Sequence, residues 1–142
     1  MKENSLVKSV SEVLGFSGRA TGLTEAQRIT LMLFLVSSDS ECTVIHNDGP
    51  GADQDFSKVA QECGLTVNTT DSTLTPMARN RNLISICTTL IAAPPTDFLL
   101  KKGSGTWETI KYAWKANKLT LIILSDGTIV SSAKDLPIKP IS

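Results

Sequence analysis

The sequence predicts an α/β domain built around a parallel sheet, and three observations support this class. Short apolar runs typical of strands alternate with segments whose apolar residues recur at helical spacing. Three of the apolar runs lead into loops of small and polar residues, and a predicted helix follows each loop. The 142 residues amount to one domain, and 41% hydrophobic with 20% charged residues is typical of a globular protein.

The first predicted strand covers residues 11–16, and the first helix follows Thr24. Thr24 and Gln27 have the spacing of a capping box, so a helix is expected to begin there and to continue to Val36. Residues 43–45 form a short second strand.

The middle of the chain predicts two more helices and a weak third strand. Apolar residues repeat at three- and four-residue spacing over residues 52–63, and Gly64 supplies a helix stop. A third strand covers residues 65–69. The third helix begins at Pro76, which follows a threonine cap, and runs to about Cys87.

The last third of the chain predicts two strands around a fourth helix. Residues 89–93 form the fourth strand, and Trp107 and Ile110 line one side of the helix that follows. The apolar run 119–124 predicts the fifth strand, which ends in a turn at residues 125–128.

These elements predict a Rossmann-like three-layer sandwich, a five-stranded parallel sheet with helices on both faces. Right-handed crossovers and a reversal after the first strand give the strand order 3-2-1-4-5. The loops after strands one and four then flank the crevice in which such sheets bind ligands. Residues 1–142 are expected to form this single domain, with a loosely packed tail over residues 129–142.

Composition excludes several classes of function. Fourteen basic and fourteen acidic residues cancel, which counts against gripping duplex DNA but permits a local basic patch. Cys42, Cys63 and Cys87 are too scattered for a zinc site or a disulfide framework, so buried thiols in a reducing cytoplasm are expected. The N-terminus lacks a signal-peptide pattern, and the apolar run 29–36 is too short to span a membrane.

The first loop, Ser17-Gly18-Arg19, follows strand one at the predicted crevice. Gly18 permits close approach of the backbone, Ser17 offers a hydroxyl, and Arg19 offers a planar fork for phosphate or carboxylate. The alternative is a plain turn with a solvated arginine.

The second loop combines two glycines with two aspartates. Gly49 and Gly51 permit positive φ angles, so the amides leading to Ala52 could form an anion nest. Asp48 and Asp53 would repel phosphate unless they meet hydroxyl groups, for which a ribose is the natural source. The alternative for either aspartate is helix capping.

Two arginines lie near the start of the third predicted helix, and the only histidine lies at the end of strand two. Arg79 and Arg81 are two residues apart, so they point in different directions and one of them is expected to face the pocket. A surface position for both is the alternative. His46 fits a hydrogen-bonded scaffold role better than catalysis.

The third loop has the residue types of a phosphate cradle at a helix start, without the Lys-Ser/Thr of a Walker loop. Trp107 could stack on a base, but its helical spacing is more typical of a core residue. The cradle consists of two glycines and two hydroxyl residues, Gly103, Ser104, Gly105 and Thr106.

Taken in order, the motifs resemble the SLOG superfamily over residues 13–126. They are Phe-Ser-Gly-Arg, Gly-Leu-Thr-Glu-Ala-Gln, Asp-Gly-Pro-Gly-Ala-Asp, Met-Ala-Arg-Asn-Arg-Asn, Leu-Ile-Ala-Ala-Pro and Gly-Ser-Gly-Thr-Trp-Glu-Thr-Ile. The superfamily includes DprA, the LOG phosphoribohydrolases, YpsA-like domains and antiphage sensor domains that bind ADP-ribose-derived signals. The resemblance implies a Rossmann-like domain that binds nucleotides or their derivatives, commonly as an oligomer.

The chain departs from the LOG pattern where that pattern carries its catalytic glutamate. The LOG enzymes pair a helix-three arginine, matched here by Arg79, with Pro-Gly-Gly-x-Gly-Thr-x-x-Glu. Here a long insertion follows Pro94, and Thr109 stands at the glutamate position. Glu108 is one residue early, which rotates its side chain by roughly 100° on a helix. The chain therefore keeps the phosphate cradle of the pattern, while Glu108 is out of place for the hydrolytic acid.

The predicted function is binding of a nucleotide-derived small molecule, an ADP-ribose-like or cyclic nucleotide signal. The protein would act as a sensor or as a sponge, for example a phage-encoded one against host immune signalling. It would form a dimer or tetramer and need no cofactor or metal. The residues assigned to the ligand are Ser17, Gly18, Arg19, Asp48, Gly49, Gly51, Ala52, Asp53, Arg79, Arg81, Pro94, Gly103, Ser104, Gly105, Thr106, Trp107 and Glu108.

Two alternatives stay open. The first is a phosphoribohydrolase-like enzyme, for which Glu108, Arg79 and Asp53 are the catalytic candidates. The second is DprA-like binding of single-stranded DNA, which requires a basic, stacking-capable groove and which the zero net charge disfavours.

Overall fold

The structure, a computed structural model, describes residues 12–97 and 105–130. Its helices are α1 (Glu25–Val36), α2 (Ala52–Glu62), α3 (Pro76–Ile86) and α4 (Gly105–Lys115). Its strands are β1 (Val13–Gly18), β2 (Thr43–His46), β3 (Thr66–Thr69), β4 (Thr89–Ala93), β5 (Leu119–Ile123) and β6 (Ile129–Val130).

The strands form one mostly parallel sheet in the order β3-β2-β1-β4-β5-β6. The α/β class and the order of the first five strands are confirmed, and β1 to β5 pair in parallel. The predicted count of five strands was wrong, because β6 adds an antiparallel edge strand beside β5. Gly127, with φ of 91°, allows the chain to reverse there, and the Leu124 N–H donates to the Thr128 carbonyl at 2.8 Å.

The two faces of the sheet carry separate apolar clusters. Side chains alternate along β1, so that Leu14 and Phe16 pack with α1 and α2, while an added Cβ at Gly15 would meet Cys87 on the other face. The Phe16 ring stacks on Phe56 of α2 with centroids 4.3 Å apart. The second cluster joins β4 and β5 to α3 and α4. The sheet therefore lies between two helical layers.

The helix starts follow the predicted caps. The Thr24 hydroxyl accepts from the Gln27 N–H at 3.0 Å, and the Gln27 side chain accepts from the Thr24 N–H at 3.0 Å, so the capping box is confirmed. Thr75 caps α3, with Pro76 in the first turn. In both cases the cap satisfies an amide that the helix itself leaves unpaired.

Strand one begins and ends two residues later than predicted. It covers Val13–Gly18, because it pairs with β4 as far as Gly18 opposite Ala93. Ser17 and Gly18 therefore belong to the strand, and the loop begins at Arg19. This shift places both residues at the carboxyl edge, where β1 separates β2 from β4.

Candidate functional site

A cavity of about 540 Å³ opens at the carboxyl edge of the sheet, at the reversal of strand order beside β1. Such a switch point is where open α/β sheets bind ligands. Its walls come from the end of β1, from the loops after β1, β2 and β4, and from the N-terminal turns of α2, α3 and α4. They comprise residues 17–21, Asn47, Gly49, Pro50, Asp53, Pro76, Arg79, Asn80, Pro95, Gly105 and Thr106.

Main-chain hydrogen bonds join the loop after β1 to its neighbours. The Arg19 N–H donates to the Ala93 carbonyl at 3.1 Å, and the Arg19 carbonyl accepts from the Ala52 N–H at 2.9 Å. The Arg19 side chain donates through Nε to the Thr21 hydroxyl at 3.0 Å. These bonds hold Arg19 in the cavity wall with the rest of its guanidinium fork available for an anion.

Gly51 makes the close approach of two site loops possible. Its φ is 76°, and an added Cβ would collide with the carbonyl group of Ala20 and the amide nitrogen of Gly22. Gly64 also has a positive φ, 82°, but an added Cβ there would meet nothing within 4 Å. An alanine at Gly64 would therefore suffer backbone strain alone, whereas an alanine at Gly51 would suffer the same strain and a steric clash as well.

Gly51→Ala is expected to lower the free energy of unfolding by roughly 2 kcal/mol more than Gly64→Ala does. Both variants force alanine to a positive φ, but only the first adds overpacking between the loops. Urea denaturation of the two variants beside the wild type measures the difference. Equal losses would show that the loops around Gly51 do not lie in this close contact.

Asp53 lies in the first turn of α2, lines the cavity and is only 6% exposed. Its Oδ2 accepts the Gly49 N–H at 2.9 Å, while Oδ1 is buried without a hydrogen-bond partner among the described residues. Burial raises the pKa of this carboxyl to about 6 despite the Gly49 hydrogen bond, and the nearby Asp48 carboxylate adds to the rise. A buried carboxyl with an unsatisfied oxygen at a cavity is a candidate for ligand contact.

His46 holds the loop after β2 in place through a buried hydrogen bond. The ring is 2% exposed, and its Nδ1 accepts the Asp48 N–H at 2.8 Å, so the neutral ring carries its proton on Nε2. Burial lowers the pKa of His46, which keeps the imidazole neutral. Its Nδ1 lies 3.9 Å from Asp53 Oδ2. This geometry fits the predicted scaffold role.

Arg79 lies in α3 on the wall of the same cavity as Asp53. Its guanidinium donates to the Asn47 carbonyl, and its Nε is buried without a partner among the described residues. The Asn47 side chain is held in turn, since its amide donates to Asn80 at 2.7 Å and its oxygen accepts from the Thr70 hydroxyl at 2.7 Å. The positive charge of Arg79 lowers the pKa of Asp53 and partly opposes the effect of burial.

Eight of the predicted ligand residues line the cavity. They are Ser17, Gly18, Arg19, Gly49, Asp53, Arg79, Gly105 and Thr106.

Several other predicted residues lie away from it. Arg81 stacks over the Tyr112 ring, 5.4 Å from its centroid, on the opposite side of α3 from the cavity. Asp48 is exposed and accepts a hydrogen bond from Gln54 at 2.8 Å. Pro94 is buried, and its neighbour Pro95 lines the cavity instead.

Trp107 and Glu108 also point elsewhere. The Trp107 ring is 1% exposed in the core and donates to Thr96, so it offers no face for stacking on a base. Glu108 pairs with Lys111 at 3.3 Å on the surface of α4. Gly51 and Ala52 shape the backbone beneath the cavity, and Gly103 and Ser104 lie outside the described residues.

Sequence reasoning missed Asn47 and Asn80. The two side chains bond each other and hold the Arg79 wall in place. The available signal was an asparagine at the end of β2 and another beside Arg79, each at a position that leads into the cavity. Asparagine alone is too common in loops for that signal to select these two.

The part of the chain that the structure describes contains neither a metal-binding cluster nor a membrane-spanning helix. No cluster of His, Cys, Asp and Glu able to hold a metal ion occurs within residues 12–97 and 105–130. In the same ranges, every helix is too short or too polar to cross a membrane. Comparison with protein-family models, curated proteins and solved structures finds no match, so the SLOG resemblance stays a prediction.

Proposed function

We propose that the carboxyl-edge cavity binds a nucleotide-derived small molecule, with ADP-ribose-like and cyclic nucleotide signals as the candidates. The observation that carries this proposal is the meeting of Arg19, Arg79 and Asp53 in one cavity at the switch point. Two cations suit phosphate, while a carboxylate with a free oxygen suits a sugar hydroxyl. The volume of about 540 Å³ lies within the usual range for small-molecule sites.

Phosphate groups would lie between the end of β1 and the start of α4. Ser17 and Arg19 supply a hydroxyl and a guanidinium, and Thr106 adds a hydroxyl near the helix start, where the dipole favours anions. Arg79 would close the site from α3. Asp53 would accept a ribose hydroxyl, because an ionised carboxylate repels phosphate but accepts an O–H.

Binding without hydrolysis is the favoured activity, because the start of α4 presents no carboxylate to the cavity. The Thr109 hydroxyl donates to the Gly105 carbonyl at 2.9 Å within its own helix, and Glu108 pairs with Lys111. The protein would then sense or sequester its ligand, and a phage-encoded sponge against host immune signalling is one form of this role.

Asp53 supports a second candidate function, a phosphoribohydrolase-like activity. Its pKa of about 6 lies near neutral pH, which suits general acid–base catalysis, and Arg79 lies on the same cavity wall to hold a phosphate. Incubation with nucleoside monophosphates tests this candidate. Release of free base and ribose phosphate that Asp53→Asn abolishes would replace the binding-only proposal.

Titration calorimetry tests the binding proposal. The panel contains nucleoside mono- and diphosphates, ADP-ribose derivatives and cyclic dinucleotides. At least one ligand is expected to bind with a dissociation constant in the micromolar range or below. A complete absence of heat at micromolar concentrations would refute the proposal.

An apolar stripe on α1 supports the further proposal of a homodimer. Ile29, Met32, Leu33 and Val36 are 41–65% exposed and recur at helical spacing on one face. Ile129 pairs with Ile123, which faces the α1 side of the sheet, so Ile129 extends the stripe. The stripe carries no charged side chain, so a two-fold contact between copies of it brings no like charges together.

Leu33→Glu is expected to weaken this dimer by at least ~30-fold, about 2 kcal/mol, because the contact would bury an unpaired carboxylate. Leu119→Glu is the matched control, since Leu119 is 54% exposed at the start of β5 and lies off α1. Sedimentation velocity measures the number of chains per particle. A monomeric wild type, or equal dissociation of both variants, would contradict the proposed interface.

A further inference from the structure

The helical layer of α3 and α4 carries an excess of positive charge, although the whole chain is neutral. Within these two helices and residues 116–118, Glu108 is the one carboxylate, and it pairs with Lys111 at 3.3 Å. The cations that lie beyond this pair and away from the carboxyl-edge cavity are Arg81, Lys115 and Lys118. This side of the protein therefore presents a positive surface to its surroundings.

These three cations line one groove of about 440 Å³ between α3 and α4. The rest of its described lining is uncharged and consists of Ile84, Ser85, Tyr112 and Ala116. The groove begins at the middle of α3 and in the second half of α4, whereas the N-terminal turns of both helices line the carboxyl-edge cavity. It is therefore a second site, separate from the first.

Contacts hold two of the cations in the groove and leave N–H donors available. Arg81 lies over the Tyr112 ring, 5.4 Å from the centroid, which orders the guanidinium plane. Lys118 Nζ donates to the Cys87 carbonyl at 2.7 Å and retains two further N–H donors. The helix dipole favours a cation such as Lys115 in the last turn of α4, but it does not account for Arg81 in the middle of α3.

The groove also has an apolar part, which narrows the class of partner. Ile84 and Ala116 contribute aliphatic groups to the same lining as the cations. A small inorganic anion would leave these groups uncovered. Single-stranded nucleic acid stacks its bases on free aromatic rings, but Arg81 already lies over the one ring of the described lining. A peptide, in contrast, supplies both carboxylates and apolar side chains.

We propose that this groove docks an acidic peptide segment of a partner protein, in which carboxylates flank an apolar side chain. The planar fork of Arg81 suits one carboxylate, and the ammonium groups of Lys115 and Lys118 suit others. The apolar side chain would cover Ile84 and Ala116, which gives the contact an apolar centre and a charged rim. Complementary charge would select an acidic segment over a basic one.

Fluorescence anisotropy of a labelled, end-blocked peptide Glu-Glu-Leu-Glu-Glu measures the docking. Its dissociation constant is expected to be on the order of 100 μM at about 50 mM salt and to rise about fivefold at about 300 mM. Glycine in place of the leucine is expected to weaken binding about tenfold, because the apolar contact is lost. Lysine in place of each glutamate is expected to abolish binding.

Two single variants test whether the groove is the docking site. Arg81→Gln is expected to weaken peptide binding at least fivefold, and Ala116→Glu at least tenfold, because the latter places a carboxylate in the groove without removing a hydrogen bond. Lys58→Gln is the matched control: it makes the same change in net charge at an exposed position of α2. Its peptide affinity is expected to stay within about twofold of the wild type.

Four outcomes would overturn the proposal. They are no binding of the acidic peptide at millimolar concentration, equal affinities of the leucine and glycine peptides, an equal loss in the Lys58→Gln control, and unchanged binding in Ala116→Glu. Tighter binding of oligo-dT, or equal displacement of the peptide by pyrophosphate, would also overturn it in favour of a nucleic-acid or small-anion site.

Failure here is distinguishable from failure of the nucleotide site. Ala116 and Arg81 lie outside the carboxyl-edge cavity, so their variants are expected to leave nucleotide affinity unchanged. Conversely, Asp53→Asn is expected to leave peptide affinity unchanged. Loss of both activities in any of these variants would contradict a separate groove.

Discussion

Asp53→Asn is expected to stabilise the protein at pH 8 by roughly 3 kcal/mol and to remove a pH dependence of stability between about pH 4 and 7. The ordinary carboxyl pKa of 3.8 rises to about 6 in the folded protein, mainly through burial. The folded state therefore holds the proton more tightly than the unfolded state. The stability that this proton contributes is present below pH 3.8 and is lost as pH rises through about 6.

Urea denaturation of both proteins at pH 4 and at pH 8 measures this effect. Asparagine keeps an acceptor for the Gly49 N–H but carries no charge at either pH, so its stability is expected to vary less. Asp71→Asn is a control of opposite sign, because hydrogen bonds from Thr73 lower the pKa of exposed Asp71. That control is expected to gain no stability at pH 8. An equal change in the free energy of unfolding from pH 4 to pH 8 in the wild type and in Asp53→Asn would contradict the burial of Asp53.

Arg79→Gln is expected to weaken nucleotide binding about 100-fold, close to 3 kcal/mol. Glutamine can still donate a hydrogen bond, but it lacks the charge and the fork that hold phosphate. The substitution also removes the bond to the Asn47 carbonyl and the cation that offsets Asp53 in the cavity. The charges of Arg19 and Asp53 then cancel, so the cavity loses the net positive charge that favours a phosphorylated ligand.

Arg81→Gln is the matched control for Arg79→Gln, two residues along the same helix. Arg81 lies on Tyr112 away from the cavity, so nucleotide affinity is expected to stay within about twofold of the wild type. Calorimetry with the tightest ligand of the panel gives both values, and circular dichroism checks that each variant folds. Equal losses of nucleotide affinity in the two variants would indicate that the ligand binds outside the carboxyl-edge cavity.

Local signals in the sequence predicted the elements well where a cap or a long apolar run marked them. The Thr24–Gln27 capping box and Pro76 marked two helix starts, and the apolar runs marked β1 to β5. The order of these strands followed from right-handed crossovers with a reversal after β1. Strand β6 was missed because two residues are too few for periodicity to detect. The bounds of β1 were displaced because its pairing with β4, a distant segment, sets where it ends.

The sequence could select the loops of the candidate site but not every side chain within them. Arg79 and Arg81 are chemically equivalent in sequence, and helix geometry requires only that they diverge. The packing of α3 against α4 turns Arg81 onto Tyr112 and leaves Arg79 in the cavity. Asp48 and Asp53 were likewise indistinguishable until the position of α2 buried one of them.

Amide chemical shifts test the central proposal most directly. They are recorded by NMR on isotope-labelled protein during titration with ADP-ribose or another ligand of the panel. The largest changes are expected at the amides of Ser17, Arg19, Gly49, Asp53 and Thr106, because these residues surround one cavity. The amide chemical shifts of Tyr112 and Lys115, which line the groove between α3 and α4, are expected to stay unchanged. No change with any ligand at millimolar concentration, or changes centred on the α3–α4 groove, would contradict a nucleotide site at the carboxyl edge.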